Sequence, residues 1–281
     1  MNFTTLDWFM TSISLVLRLN AASCLVFGAL FALRPDTVAR TLGAAPPIVI
    51  VGLGSALLVN GVHLALVSMR ARPKHLEILW FALGDMAWWL ASASLIASGI
   101  WITAVQGIAL TIMTGLLVAG LGTAQLFLLG LEHSGLTASG QWRRIGRSWL
   151  SLPTWVKLWL FALNAVFLAA PAVMTWDSAR VVLISYTASG PLLLGFAVHA
   201  GGLNRCMGVA HLVPWVPMLI WLLPSFHGFD TNSVQSDYAA LLGVMTVVCL
   251  AFDLYDLLRW LRGERSILLP SSSIGGSVAT E

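Results

Sequence analysis

The chain has 281 residues, of which 58% are hydrophobic and 10% charged, with a mean hydropathy of +0.86 and a formal net charge of +3. These proportions exclude a soluble domain of this size, which would need a much larger charged surface, and point to a polytopic membrane protein. Nucleic acid is excluded as a partner as well, because the basic residues lie in short loops beside apolar segments and form no run or stripe.

Taken in chain order, eight apolar segments are expected to be helices: 8–33, 47–69, 77–98, 102–131, 153–176, 179–203, 208–224 and 238–261. About 20 apolar residues at 1.5 Å each cross a hydrocarbon core. No charged side chain occurs between Asp85 and Glu132, so the third and fourth segments must turn back on each other in a tight hairpin at Ser98-Gly99. Arg34-Pro35-Asp36, Arg72-Pro73-Lys74, Pro153 and Gly201-Gly202 mark further breaks. Asp7 and the absence of Lys or Arg before Arg18 argue against a cleaved basic leader, so the first span is expected to stay in the protein.

Orientation follows from the basic residues. With the N-terminus inside, the cytoplasmic side receives Arg70, Arg72, Lys74, Arg143, Arg144, Arg147, Lys157, Arg205, Arg259, Arg262 and Arg265, against Arg34, Arg40 and Arg180 outside. That asymmetry puts both termini in the cytoplasm of a bacterial inner membrane. Trp101, Trp149, Trp155, Trp176 and Trp260 fall at the interfaces as anchors. Small-residue pairs in the fourth segment, Gly115 with Ala119 and Gly120 with Ala124, together with Gly107, are read as close-packing positions.

The stretch 132–152 is the longest cytoplasmic connection and divides the chain into a first unit, 1–131, and a second, 153–262, followed by a tail, 263–281, expected to be disordered. Three short matches relate the halves in order: Leu19-Asn20-Ala21 with Leu163-Asn164-Ala165, Val62-His63 with Val198-His199, and Met113-Thr114 with Met245-Thr246. The expected fold is therefore all-α, with eight transmembrane helices in two parallel four-helix units. Leu17-Arg18-Leu19-Asn20 with Gly28, Leu83-Gly84-Asp85, Trp155-Val156-Lys157-Leu158-Trp159 and His211-Leu212-Val213-Pro214-Trp215 carry a resemblance. In these the chain resembles small four-span bacterial inner-membrane proteins of uncharacterised function, joined in tandem, and the resemblance implies no activity.

Ionisable groups at membrane depth need partners. Counting residues inward from the cytoplasmic ends places Arg18, Asn60, His63, Asp85 and Gln125 at a common depth of ~10 to 15 Å, which predicts an Arg18 to Asp85 ion pair braced by the other three. This layer reads either as an interhelical clamp or as a ligand or proton site. In the second half, His199 and His211 lie six residues either side of Arg205, with Asn164 and Asp253 at similar depth. They are expected to line a polar pocket. Asp256 and Arg259 are expected to pair at i, i+3. The outer connection 224–237 holds Phe226, His227, Phe229 and Asp230 and is read as an ordinary loop.

No cofactor is expected, since Cys24, Cys206 and Cys249 show no metal spacing and read as small buried hydrophobes. No phosphate loop or nucleophile signature occurs. The best reading is a non-enzymatic membrane protein, with the bilayer as its partner, that binds or moves a small or lipophilic solute at these polar layers. The alternatives are an accessory or scaffold subunit for a membrane-protein partner, and a haem or metal redox protein using His199 and His211.

Overall fold

The computed structural model describes residues 3–228 and 233–267. Part of the outer connection and the tail beyond Ile267 lie outside them. Ten α-helices are described: α1 Phe3–Leu33, α2 Pro35–Leu42, α3 Pro47–Ser68, α4 His75–Ser98, α5 Val105–Ser134, α6 Ala138–Leu150, α7 Thr154–Val173, α8 Trp176–Ala200, α9 Val209–Gly228 and α10 Val234–Leu261. A 3-10 turn, Arg205–Gly208, leads into α9. Eight of the helices, all but α2 and α6, are long and apolar enough to cross a membrane. Large apolar side chains such as Val59, Leu66, Phe161, Leu168 and Val244 stand exposed along them. Such surfaces fit hydrocarbon and not water, so this is an all-α, multi-pass integral membrane protein.

The helix ends follow the punctuation. Pro35 and Pro47 open α2 and α3 at a position where the missing N–H costs nothing. Gly99, Gly135 and Gly201 close α4, α5 and α8 with left-handed φ of 63°, 66° and 70°. The two short helices, α2 and α6, fall outside the eight expected segments. The stretch read as a plain connection, 132–152, contains α6, N-capped by Thr137 Oγ1 accepting from the Gly140 N–H at 3.2 Å. Its Gln141 donates to the Val198 carbonyl at 2.6 Å, and its Ser148 accepts from the Leu203 N–H at 2.9 Å. Thus α6 is a docked part of the second half and no free tether. By contact the chain forms two compact units, 1–135 and 136–281.

In the first unit α1 packs along α3 through reciprocal glycines. A Cβ at Gly28 would lie 3.0 Å from the Gly54 carbonyl oxygen, and one at Gly54 would lie 2.9 Å from that of Gly28. Inside lipid, apolar burial does not draw helices together, so such backbone proximity supplies the dispersion contact that does. The expected hairpin is α4 with α5, where Gly115 receives the Trp89 ring and Gly122 receives Asp85. Gly120, by contrast, has nothing within 4 Å of a built Cβ. Helix α2 folds back over this end of the unit: the Thr103 N–H donates to the Leu42 carbonyl at 2.9 Å, and Gly107 has backbone of Thr41 and Leu42 within 2.9 Å of a built Cβ.

The second unit is built round a larger apolar core that includes Leu163, Phe167, Val182, Trp215, Met218, Leu222 and Leu242. Its spine is a ring stack, His211 on Trp215 (4.2 Å between centroids), Trp215 on Phe167 (4.5 Å) and Phe167 on Tyr186 (5.4 Å). At the end of α10 the expected i, i+3 pair does not form. Asp256 pairs with Arg205 from the 3-10 turn, and Arg259 donates from Nε to Glu264 at 2.9 Å, holding the Glu264 carboxyl below its ordinary range. The non-local guanidinium wins because the turn carries it directly over α10.

Candidate functional site

One carboxylate oxygen gathers the first unit. Asp85 on α4 accepts through Oδ2 from Asn20 on α1 at 2.8 Å and from Gln125 on α5 at 2.9 Å. All three side chains are buried. Asn60 on α3 joins through sulfur: its Nδ2 donates to Cys24 Sγ at 3.6 Å, and the Cys24 thiol points to Asn20 Oδ1 at 3.8 Å. Gly122 lets α5 approach, since a Cβ there would lie 2.8 Å from that of Asp85. Gln125, one turn on, is thereby brought within reach of the carboxylate.

This corrects the expected layer. Arg18 does not pair with Asp85; it is exposed and lines a surface groove with Ser14, Ser68 and Arg70. Equal depth is not equal direction. Asn20 lies two residues further along, roughly 200° round the helix at 3.6 residues per turn, on the buried face with Leu17, Ala21 and Cys24. His63 is also outside the layer, exposed and edge-on to Phe81 at 5.0 Å. Of the five residues expected together, Asp85 and Gln125 meet directly and Asn60 is linked through Cys24. Asn20, which the layer omitted, is the missing partner. A signal for it existed, because it stands in the short match that pairs it with Asn164.

Beside this network lies a cavity of about 690 Å³. Its walls come from α1 (Phe27, Phe31), α3 (Leu57, Asn60), α4 (Trp80, Phe81, Trp88) and α5 (Leu110, Val118), and α2 contributes Thr37, Val38 and Thr41. Asp85 is the one charged side chain among the lining residues. Both amides use Oδ2, which leaves Oδ1 for a donor in the cavity. Trp80, Leu83 and Leu110 line the cavity and are exposed, so it opens through the flank of the unit.

The second unit holds a separate polar group. His211 Nδ1 lies 3.0 Å from Asp253 Oδ2, and the Cys249 thiol donates to the same oxygen at 3.5 Å. His199 is not among the donors that converge there; it is exposed near the end of α8. The pocket expected from two imidazoles is thus corrected to one imidazole, one thiol and one carboxylate. Asn164 belongs to another contact, accepting from the Tyr186 hydroxyl and donating to the Leu160 carbonyl at 2.6 Å. Cys249, expected as a small buried hydrophobe, is buried and belongs to this group, where Asp253 is the shared partner. The i, i+4 spacing of Cys249 and Asp253 was the available signal.

Comparison with family models, with curated proteins and with solved structures finds no match for this chain.

Proposed function

We propose that the protein binds, and moves within or across the bilayer, a small lipophilic solute bearing one cationic or hydrogen-bond-donating end. The observation that carries this reading is the first unit's cavity, whose volume of about 690 Å³ suits a small organic molecule and whose only charge is Asp85. Aromatic and aliphatic walls select an apolar body. A carboxylate with an uncommitted oxygen in low dielectric selects a donor or cation at one end. Trp80 and Trp88 add ring faces that favour a cation. Entry from the lipid fits a cavity that opens through the flank of α4.

Gly84 offers the test, because it lines the cavity and a Cβ built on it meets nothing within 4 Å. Gly84→Phe should fill the space without a backbone clash. We expect an organic molecule that co-purifies with the natural chain, identified by mass spectrometry, to fall about tenfold in the variant, a change worth ~1.4 kcal/mol of binding. Thermal stability should hold or rise, since replacing a mid-helix glycine gains up to about 1 kcal/mol. Unchanged retention of that molecule by Gly84→Phe would remove the cavity as the site.

The membrane in this reading is a bacterial inner membrane with both termini in the cytoplasm, and the two units are a tandem repeat of four spans each. Support comes from the Lys and Arg asymmetry between the two sets of loops. Reporter fusions after His133 and after Glu281 should both read cytoplasmic. A periplasmic signal at either position rejects this orientation.

A further inference from the structure

We infer that His211, Cys249 and Asp253 form a binding site for a divalent transition metal of the zinc type, separate from the solute cavity. The donors are an imidazole nitrogen on α9 and a thiol and a carboxylate one turn apart on α10, and their ligand atoms all lie within 4.8 Å of one another. A tetrahedral ion with bonds of ~2.0 to 2.3 Å holds its donors roughly 3.3 to 3.8 Å apart. Cys249 Sγ and Asp253 Oδ2 already stand at 3.5 Å. His211 Nδ1 and Asp253 Oδ2, at 3.0 Å, need to open by a few tenths of an ångström, which one rotamer adjustment supplies.

The donor set also fixes the class of ion. Nitrogen, sulfur and oxygen together suit zinc, cobalt, iron(II) or copper and disfavour magnesium and calcium, which take oxygen alone. Charge agrees: a thiolate and a carboxylate carry two negative charges, which a divalent ion neutralises where an isolated anion in the membrane would be costly. Binding releases the thiol proton, while the neutral His211 ring keeps its one proton on Nε2 and donates its lone pair from Nδ1. Three protein donors leave a fourth position for water or an exogenous ligand.

The site is held from outside as well. His211 is stacked on the buried Trp215, whose Nε1 donates to the Ser185 carbonyl at 3.2 Å, so the imidazole is oriented before any ion arrives. Gly208 brings the start of α9 against α10, since a Cβ there would lie 2.8 Å from both the Cβ and the carbonyl oxygen of Asp253.

The rival arrangement is a metal-free triad in which the thiol and imidazole hydrogen-bond the carboxylate. Cobalt(II) titration of the full chain in detergent separates the two. We expect a near-ultraviolet thiolate-to-cobalt charge-transfer band at one equivalent, displaced by zinc, kept in Cys206→Ser and lost in Cys249→Ser. His211→Ala should weaken cobalt binding about tenfold or more. Should Cys249→Ser not fold, the unchanged chain still decides, because zinc should slow alkylation of Cys249 and leave that of Cys206 unaltered. A natural chain with neither band nor protection overturns the site, as does a band that survives in Cys249→Ser.

Discussion

Asp85→Leu is expected to destabilise the first unit by about 2 kcal/mol or more, because it strands two buried amide donors, each costing ~1 to 3 kcal/mol when unsatisfied. The donors are Asn20 and Gln125, both about fully buried and both committed to Asp85 Oδ2. Removing them with the carboxylate should reverse the loss, since replacing every partner with apolar groups of similar shape is close to neutral. The triple change Asn20→Leu, Asp85→Leu, Gln125→Leu is therefore expected to unfold in detergent near the natural midpoint, yet, on the proposed function, to retain no solute. Arg18→Gln should leave stability unchanged. If Arg18→Gln is as harmful as Asp85→Leu, or if the triple variant is no better than the single one, the network does not hold the unit together.

The contrast between Arg18 and Asn20 shows what a sequence reading can and cannot resolve here. Hydropathy locates the spans because transfer to hydrocarbon is a sum over composition, and all eight long helices fall where apolar segments run. Residue counting then gives depth, and Asp85 and Gln125 do meet at a shared depth. Direction round the helix is a different quantity. When nearly every position is apolar, no polar face marks which side looks inward, and depth alone puts Arg18, His63 and His199 inside. Packing decides instead through residues that carry little chemical signal: Gly122 and Gly208 admit a neighbouring helix and so choose Gln125 and His211 as the side chains that meet a carboxylate. The short helices α2 and α6 escaped for another reason. They are too short and polar to register as spans, although α2 caps the cavity and α6 docks on α8.

That role of small residues gives the second large effect, and two glycines two positions apart on α3 should respond in opposite ways. A Cβ at Gly54 would lie 2.7 Å from the Ala32 nitrogen and 2.9 Å from the Gly28 oxygen, both backbone atoms that no rotamer can move. Gly54→Leu should therefore force α1 off α3 at a cost of about 3 kcal/mol, the upper range for overpacking. Gly52 meets nothing within 4 Å, and Gly52→Leu should hold or raise the unfolding midpoint through helix propensity, by up to ~1 kcal/mol. Gly28→Leu strikes the same contact from α1, so combined with Gly54→Leu it should cost less than the sum of the two, a coupling that independent sites would not show. The loss should extend to function, because Phe27 and Phe31 on α1 and Leu57 and Asn60 on α3 line the cavity together, and a shifted α1 changes that space. Equal stability of Gly52→Leu and Gly54→Leu would mean that α1 and α3 are not held at backbone distance, and the cavity would then lack the joint wall that these two helices give it.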